Sequence, residues 1–232
     1  MKNIIKLNLI FLLLTILLSK AEAHITRPIF IDSVIKISQF SITYENYYNP
    51  SGFFYGLKKN AYFNNYMVGL LKKTAGGIQY DFVLGKGKME IGKRESDPAD
   101  GLVGHIGISK DIWGDLVVFP VWKWYIGLTG ARYDLTDYIG EDIDIKYSYL
   151  CADVSLSCSK RWNRFIPYAG VDFFLKSEKY REKTTQSSHS SEGSGLSPFA
   201  GCRIKTLERI FIHGQVNFID KAGYMGSMEF VF

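Results

Sequence analysis

The feature that most restricts what this chain can fold into is a period of two. Beyond about residue 34, apolar side chains alternate with polar or small ones in runs of roughly ten residues. Two is the period of a β-strand, because successive side chains leave a pleated backbone on opposite faces. In 209–219, Ile210, Ile212, Gly214, Val216 and Phe218 share one face, while Phe211, His213, Gln215, Asn217 and Ile219 share the other. In 223–232, Tyr224, Met228, Phe230 and Phe232 oppose Ser227 and Glu229. Upstream, Trp122, Trp124, Ile126 and Leu128 oppose Lys123, Tyr125, Gly127 and Thr129, and Leu150, Ala152, Val154 and Leu156 oppose Cys151, Asp153, Ser155 and Ser157. One face of each run meets something apolar and the other does not.

About ten strands can be placed this way, at 34–45, 61–71, 77–92, 102–110, 121–134, 144–158, 165–181, 197–206, 209–219 and 223–232. Those at 61–71 and 102–110 alternate less cleanly and are inferred partly from the need to connect their neighbours. Eight strands remain if the residues before Tyr62 form a plug or an irregular arm. Short turns at 159–164 and 207–209 and polar loops at 46–60, 93–101, 135–143 and 182–196 suit an antiparallel up-and-down barrel with short connections at one end and long ones at the other. Thr184 to Ser197, rich in Ser and Gly, reads as a solvated, mobile loop. Leu116 to Pro120 is apolar throughout and breaks the pattern. Beside Trp113, Trp122 and Trp124 it reads as a turn dipping toward a membrane boundary.

The N-terminus bears on compartment. Lys2 and Lys6 precede an apolar stretch from Leu7 to Leu18, and Ala21-Glu22-Ala23 puts small residues where a signal peptidase reads. Residues 1–23 therefore read as a cleaved secretory signal and 24–232 as one barrel domain. The stretch is about a dozen residues, short of the ~20 that a helix needs to cross hydrocarbon, which argues against an N-terminal anchor helix. No later segment approaches that length, so a membrane location demands closed β-structure, since an open sheet would leave backbone groups unpaired in lipid. Loss of Lys2, Lys6, Lys20 and Glu22 with the signal takes the net charge from +5 to +3, too mild to argue for nucleic acid. Aromatic residues are 15% of the chain, as strands and membrane interfaces favour. Cys151, Cys158 and Cys202 lack metal-type spacing with any histidine, and at least one thiol is free or paired between chains.

The final strand, with apolar or aromatic residues at Tyr224, Met228, Phe230 and Phe232, resembles the closing strand of outer-membrane β-barrel proteins, the class that includes the OmpA-type transmembrane domain and the OmpX-like small barrels. The segments Ile166 to Val171 and Ser197 to Cys202 look like the proline-aromatic-glycine strand openings of such barrels, whereas Gly226 departs from the apolar parity. The resemblance implies that the barrel-assembly machinery recognises Phe230 and Phe232. It implies residence in the cell outer membrane with both barrel termini periplasmic, and contact with outer-membrane lipid and lipopolysaccharide. A secreted soluble β-barrel that binds a small ligand would alternate too, but would not normally close on Phe-Val-Phe.

Catalytic signals are weak. His189 beside Ser190 lacks a third group to aim a base at a nucleophile, and Asp134, Asp137 and His105 form only a loose set. Asp134, Asp137, Glu141, Asp142 and Asp144 could attract divalent cations at one rim, though solvation alone explains them. No nucleotide, haem, metal or other cofactor motif appears. The expected role is structural, surface-interacting or that of a narrow passage, with a rim-active lipid A-modifying enzyme or protease as the alternative. Oligomeric state is left open.

The interior can be specified further. A turn at 207–209 sets Arg203 opposite His213, and a turn at 220–222 sets Glu229 opposite His213 on its other side, which makes Arg203, His213 and Glu229 one inward row. Lys123, Asp153, Asp172, Gln215 and Asn217 face inward as well. Charges walled off from water are costly unless partnered, so these groups are expected to form a hydrogen-bonded core that largely occludes the passage. A wet lumen that solvates them singly is the other possibility.

Overall fold

The structure, a computed structural model, describes residues 38–49, 53–54, 57–58, 61–74, 76–91, 98–114, 119–135, 144–182, 188–218 and 223–232. The signal segment lies outside them, as do 34–37 and 136–143. Ten strands form one closed barrel: β1 (Ser38–Asn49), β2 (Ala61–Lys73), β3 (Ile78–Ile91), β4 (Ala99–Trp113), β5 (Val121–Leu135), β6 (Ile145–Ser159), β7 (Phe165–Glu182), β8 (Ser188–Leu207), β9 (Ile210–Asn217) and β10 (Gly223–Val231). Each pairs antiparallel with its sequence neighbours, and β1 closes the ring on β10. A two-residue ribbon, Phe53–Phe54 with Leu57–Lys58, stands apart. The count is ten and the eight-strand alternative is excluded. There is no helix among the described residues.

Ladder partners give the stagger. From Lys86 on β3, one row runs through Leu102, Arg132, Ser148 and Lys179 to Ser190 on β8. In the other direction it runs through Tyr66, Tyr44, Gly226 and Gly214 to Cys202, also on β8. One circuit thus advances twelve residues, from Ser190 to Cys202, which requires strands tilted to the barrel axis by about 35–45°. Both described chain ends and the β2–β3, β4–β5, β6–β7 and β8–β9 connections share one end, called here the turn end; the other connections share the loop end. At the turn end, Gly77 adopts φ +78°, a left-handed conformation that costs glycine little, and lets Thr74 and Gly77 close the β2–β3 turn.

Alternation sorts the side chains as a barrel requires. In β2 every odd residue from Ala61 to Lys73 is buried, while Tyr66, Val68 and Leu70 face out. Around the outside, Ile42, Phe82, Ile106, Ile126, Val154, Phe173 and Ile212 are exposed, an apolar belt that water would not favour and hydrocarbon would. Trp113 and Trp122 lie on the outside near the turn end, where the Trp113 ring meets Phe119 at 6.3 Å; of the apolar run from Leu116, residues 116–118 are outside the described set.

Two expectations are corrected. Ser188 to Ser197 is not a loop: it is the first half of β8, paired residue by residue with Arg181 to Asp172 of β7. The strand also begins earlier than the expected 197 because small polar residues satisfy a ladder as well as apolar ones when a long partner strand is present. Glu229 does not lie opposite His213, since Phe211 takes that place and His213 faces Ser227. The cause is that β9 ends at Asn217, so the β9–β10 connection spans 218–222 and the register moves by two. A shift of two preserves facing, and Glu229 still points inward.

Candidate functional site

The lumen is where the buried polar groups converge, and it is divided in two along its length. Toward the loop end it is filled by rings. Tyr47 stacks on Phe63 at 4.6 Å, Phe63 packs against Tyr133 and Tyr147, and Tyr147 against Tyr180. Tyr149, Cys151, Met89 and Phe174 belong to the same cluster. The hydroxyls find acceptors: Tyr133 donates to Asn65 Oδ1 at 2.8 Å, Tyr147 to Glu178 Oε1 at 2.7 Å, and Asn65 Nδ2 in turn donates to Glu45 Oε2. Lys176 lies 3.2 Å from Glu178. The Tyr133 and Tyr147 hydroxyls and the Asn65 amide thus have the partners that buried polar atoms need.

Toward the turn end the filling is charged. Arg203, 1% exposed, donates from Nε to Glu229 Oε2 at 2.5 Å, reaches Gln39 Oε1 with Nη2, and lays its guanidinium over the Phe211 ring, 3.7 Å from the centroid. His213 Nδ1 is 3.6 Å from Glu229 Oε1, and its Nε2 contacts the Tyr168 hydroxyl. Gln215 accepts from Tyr168 and donates to Asn217, and Asn217 donates to Ser197. Lys123 donates to Gln79 Oε1 at 3.0 Å and, with Lys73, flanks Asp111. His105 bridges Thr129 and Asp81 and contacts the Tyr125 hydroxyl. Asp153 and Asp172 are also fully enclosed.

Arg203 thus lies opposite His213, and Glu229 joins both diagonally. Lys123, Asp153, Asp172, Gln215 and Asn217 all point inward. Between β1, β2, β3, β9 and β10 remains a cavity lined by Gln39, Ser41, Thr43, Asp81, His213, Ser227 and Glu229, with about 50 Å³ open to water centres, room for a few waters. Neither Asp81 carboxylate oxygen has a hydrogen-bond partner there, and the His105 ring lies 3.1 Å away. The loop-end rings were missed by the sequence reading. Carrying the parity of Asp153 back through Cys151 to Tyr149 and Tyr147, or that of Tyr125 forward to Tyr133, finds them.

The candidate catalytic sets are not assembled. Asp134 is exposed on the outer face between Asp100 and Lys146, while His105 is inside the barrel. His189 and Ser190 are successive exposed residues of β8 that project to opposite sides, and Asp137, Glu141 and Asp142 are outside the described residues. Among the described residues no group of His, Cys, Asp or Glu is spaced to hold a metal, and none of the three cysteines forms a disulfide. On the final strand Tyr224, Met228 and Phe232 are exposed on the outer face, with Phe230 between them and half-buried.

A closed barrel with an apolar outside and a polar, ring-plugged inside has the architecture of the outer-membrane β-barrels. No protein-family model matches the sequence, and no curated protein does. Solved structures do. The translocator domain of the autotransporter NalP from Neisseria meningitidis superposes with a TM-score of 0.52 at 12% identity, covering 85% of this chain and 87% of that one. The attachment invasion locus protein Ail of Yersinia pestis, crystallised with the heparin analogue sucrose octasulfate, gives 0.42 at 14% identity over 86% and 100%, and the outer membrane protease OmpT from Escherichia coli 0.44 at 9% over 84% and 93%. At these identities the likeness is one of fold.

Proposed function

We propose that the protein resides in the outer membrane as an occluded barrel, termini toward the periplasm, and acts through its outer wall and loop end rather than as an open pore or a rim enzyme. The observation that carries this reading is the double filling of the lumen: a stacked ring cluster above, and below it a bonded network around Arg203, Glu229, His213 and Tyr168. A passage wide enough for solutes needs a water-lined interior, and these side chains occupy it. The exposed apolar belt supports a lipid surround, and the aromatic final strand supports delivery by the barrel-assembly machinery.

Cell fractionation tests residence, together with electrophoresis of unheated and heated samples, because closed barrels resist detergent until boiled. The protein is expected with the outer membrane and to migrate faster unheated. Recovery from the soluble periplasm contradicts the reading, as does cleavage of lipid A or of peptides by the purified, refolded barrel.

A further inference from the structure

We propose that the outer wall of β3–β6 holds a phosphorylated lipid, its headgroup gripped by Lys86 and Arg132 and an acyl chain seated over Gly104 and Gly130. This rests on the reading that the barrel is embedded in lipid.

The ladder row through Lys86 changes character around the ring. On β10, β1 and β2 its outward residues are Gly226, Tyr44 and Tyr66, and the Tyr44 ring packs against Tyr66 at 5.1 Å. On β3, β5 and β7 they are Lys86, Arg132 and Lys179, separated only by the uncharged Leu102 and Ser148. Lys86, Arg132 and Lys179 are exposed, and none has an ion-pair partner among the described residues. The next row toward the loop end, Lys88, Asp100, Asp134 and Lys146, mixes both signs and offsets itself. The uncompensated cations are therefore in the row that borders the apolar belt, where the headgroups of a surrounding lipid lie. Lys86 and Arg132 stand two strand spacings apart, about 10 Å, and side chains of their length can converge on one headgroup.

A second feature lies directly beneath. The row below reads Leu84, Gly104, Gly130, Leu150, with the two glycines paired across β4 and β5. A Cβ at Gly104 would come no nearer than 3.7 Å to Leu84 Cδ1, and one at Gly130 no nearer than 3.8 Å to Leu150 Cδ1, so both positions have room for added carbon without a clash. Leu84 and Leu150 wall this dimple at either side, and Leu102, Ile106 and Leu128 complete its rim. Phosphate chemistry above and an apolar recess below, on the same three strands, fit one amphipathic molecule. A free phosphate would use the cations alone.

The test uses the purified barrel in detergent with three probes: diphosphorylated lipid A, phosphatidylglycerol and inorganic pyrophosphate. Lipid A is expected to bind measurably more tightly than the other two. Lys86→Gln with Arg132→Gln should weaken it about 30-fold, each cation near a lipid surface contributing about fivefold. Gly130→Leu, which fills the recess, should weaken it roughly tenfold, as for about two methylenes left unburied. Lys110→Gln, on the wall nearer the turn end, should change nothing. Heat-shifted migration of each variant certifies that it is folded and keeps this result separate from the question of membrane residence. Equal affinity for pyrophosphate, equal affinity for phosphatidylglycerol, or indifference to Gly130→Leu overturns the proposal.

Discussion

Arg203 is the largest fully buried side chain among the described residues. It is nearly inaccessible, bonded to Glu229 and Gln39 and stacked on Phe211. Removing one partner of a buried pair leaves the other charge without compensation, at a cost of about 3–5 kcal/mol, whereas replacing both with apolar or neutral groups costs far less. Arg203→Ala should therefore lose about that much stability in denaturant titrations of the refolded barrel, and Arg203→Met combined with Glu229→Gln should regain a good part of it. A loss below about 1 kcal/mol would mean that water solvates Glu229 and that the lumen is wet. Phe232 is the opposite case: 73% exposed, it packs little. If its role is recognition during assembly, Phe232→Ser should sharply reduce the amount of barrel in the membrane while leaving the unfolding midpoint of what does assemble nearly unchanged. Normal membrane levels would remove that role. The inward placement of Arg203, His213 and Glu229 was legible in the sequence because facing follows from parity alone. The partner of Glu229 was not, because register depends on where β9 stops, and nothing in the apolar pattern marks Asn217 as its end.

The elements show where alternation fails as a guide. Strands whose outer face is apolar, such as β5 and β6, were legible to within about a residue or two at their ends. The first half of β8, Ser188 to Leu196, has almost no apolar outer face and so gave no periodic signal. It is nonetheless a strand, because β7 presents an equally long run of backbone donors and acceptors from Phe173 to Arg181. Hydrogen bonds to a neighbour, a property of two segments, decide its structure. Lys179 and Ser190 are direct ladder partners, at a separation that a disulfide can bridge. In a variant with the three native cysteines replaced by serine, Lys179→Cys with Ser190→Cys should form a disulfide readily on mild oxidation, while Lys179→Cys with Ser191→Cys, out of register and on the other face, should form little. Equal yields in the two variants would return this segment to a mobile loop. The ring cluster escaped notice for a related reason. Polarity marks an inward position only where the filling is polar, and near the loop end the same parity carries Phe63, Tyr133, Tyr147 and Tyr180.

At the scale of the whole molecule, ten strands with a twelve-residue stagger enclose a lumen small enough for side chains to fill, and the two halves fill it by different means. Aromatic stacking closes the loop-end half, and ion pairs and side-chain amide hydrogen bonds close the other, leaving the small cavity beside Asp81. The outer wall is divided as well, tyrosines bordering the belt on β1 and β2 and cations on β3 and β5. On the function proposed above, such a molecule meets its surroundings by its surface and conducts poorly through its axis. Recording from single barrels in a planar lipid bilayer tests this most directly. The filled lumen predicts no stable opening, or only brief, small events, for the wild-type protein; a large, steady conductance would contradict it.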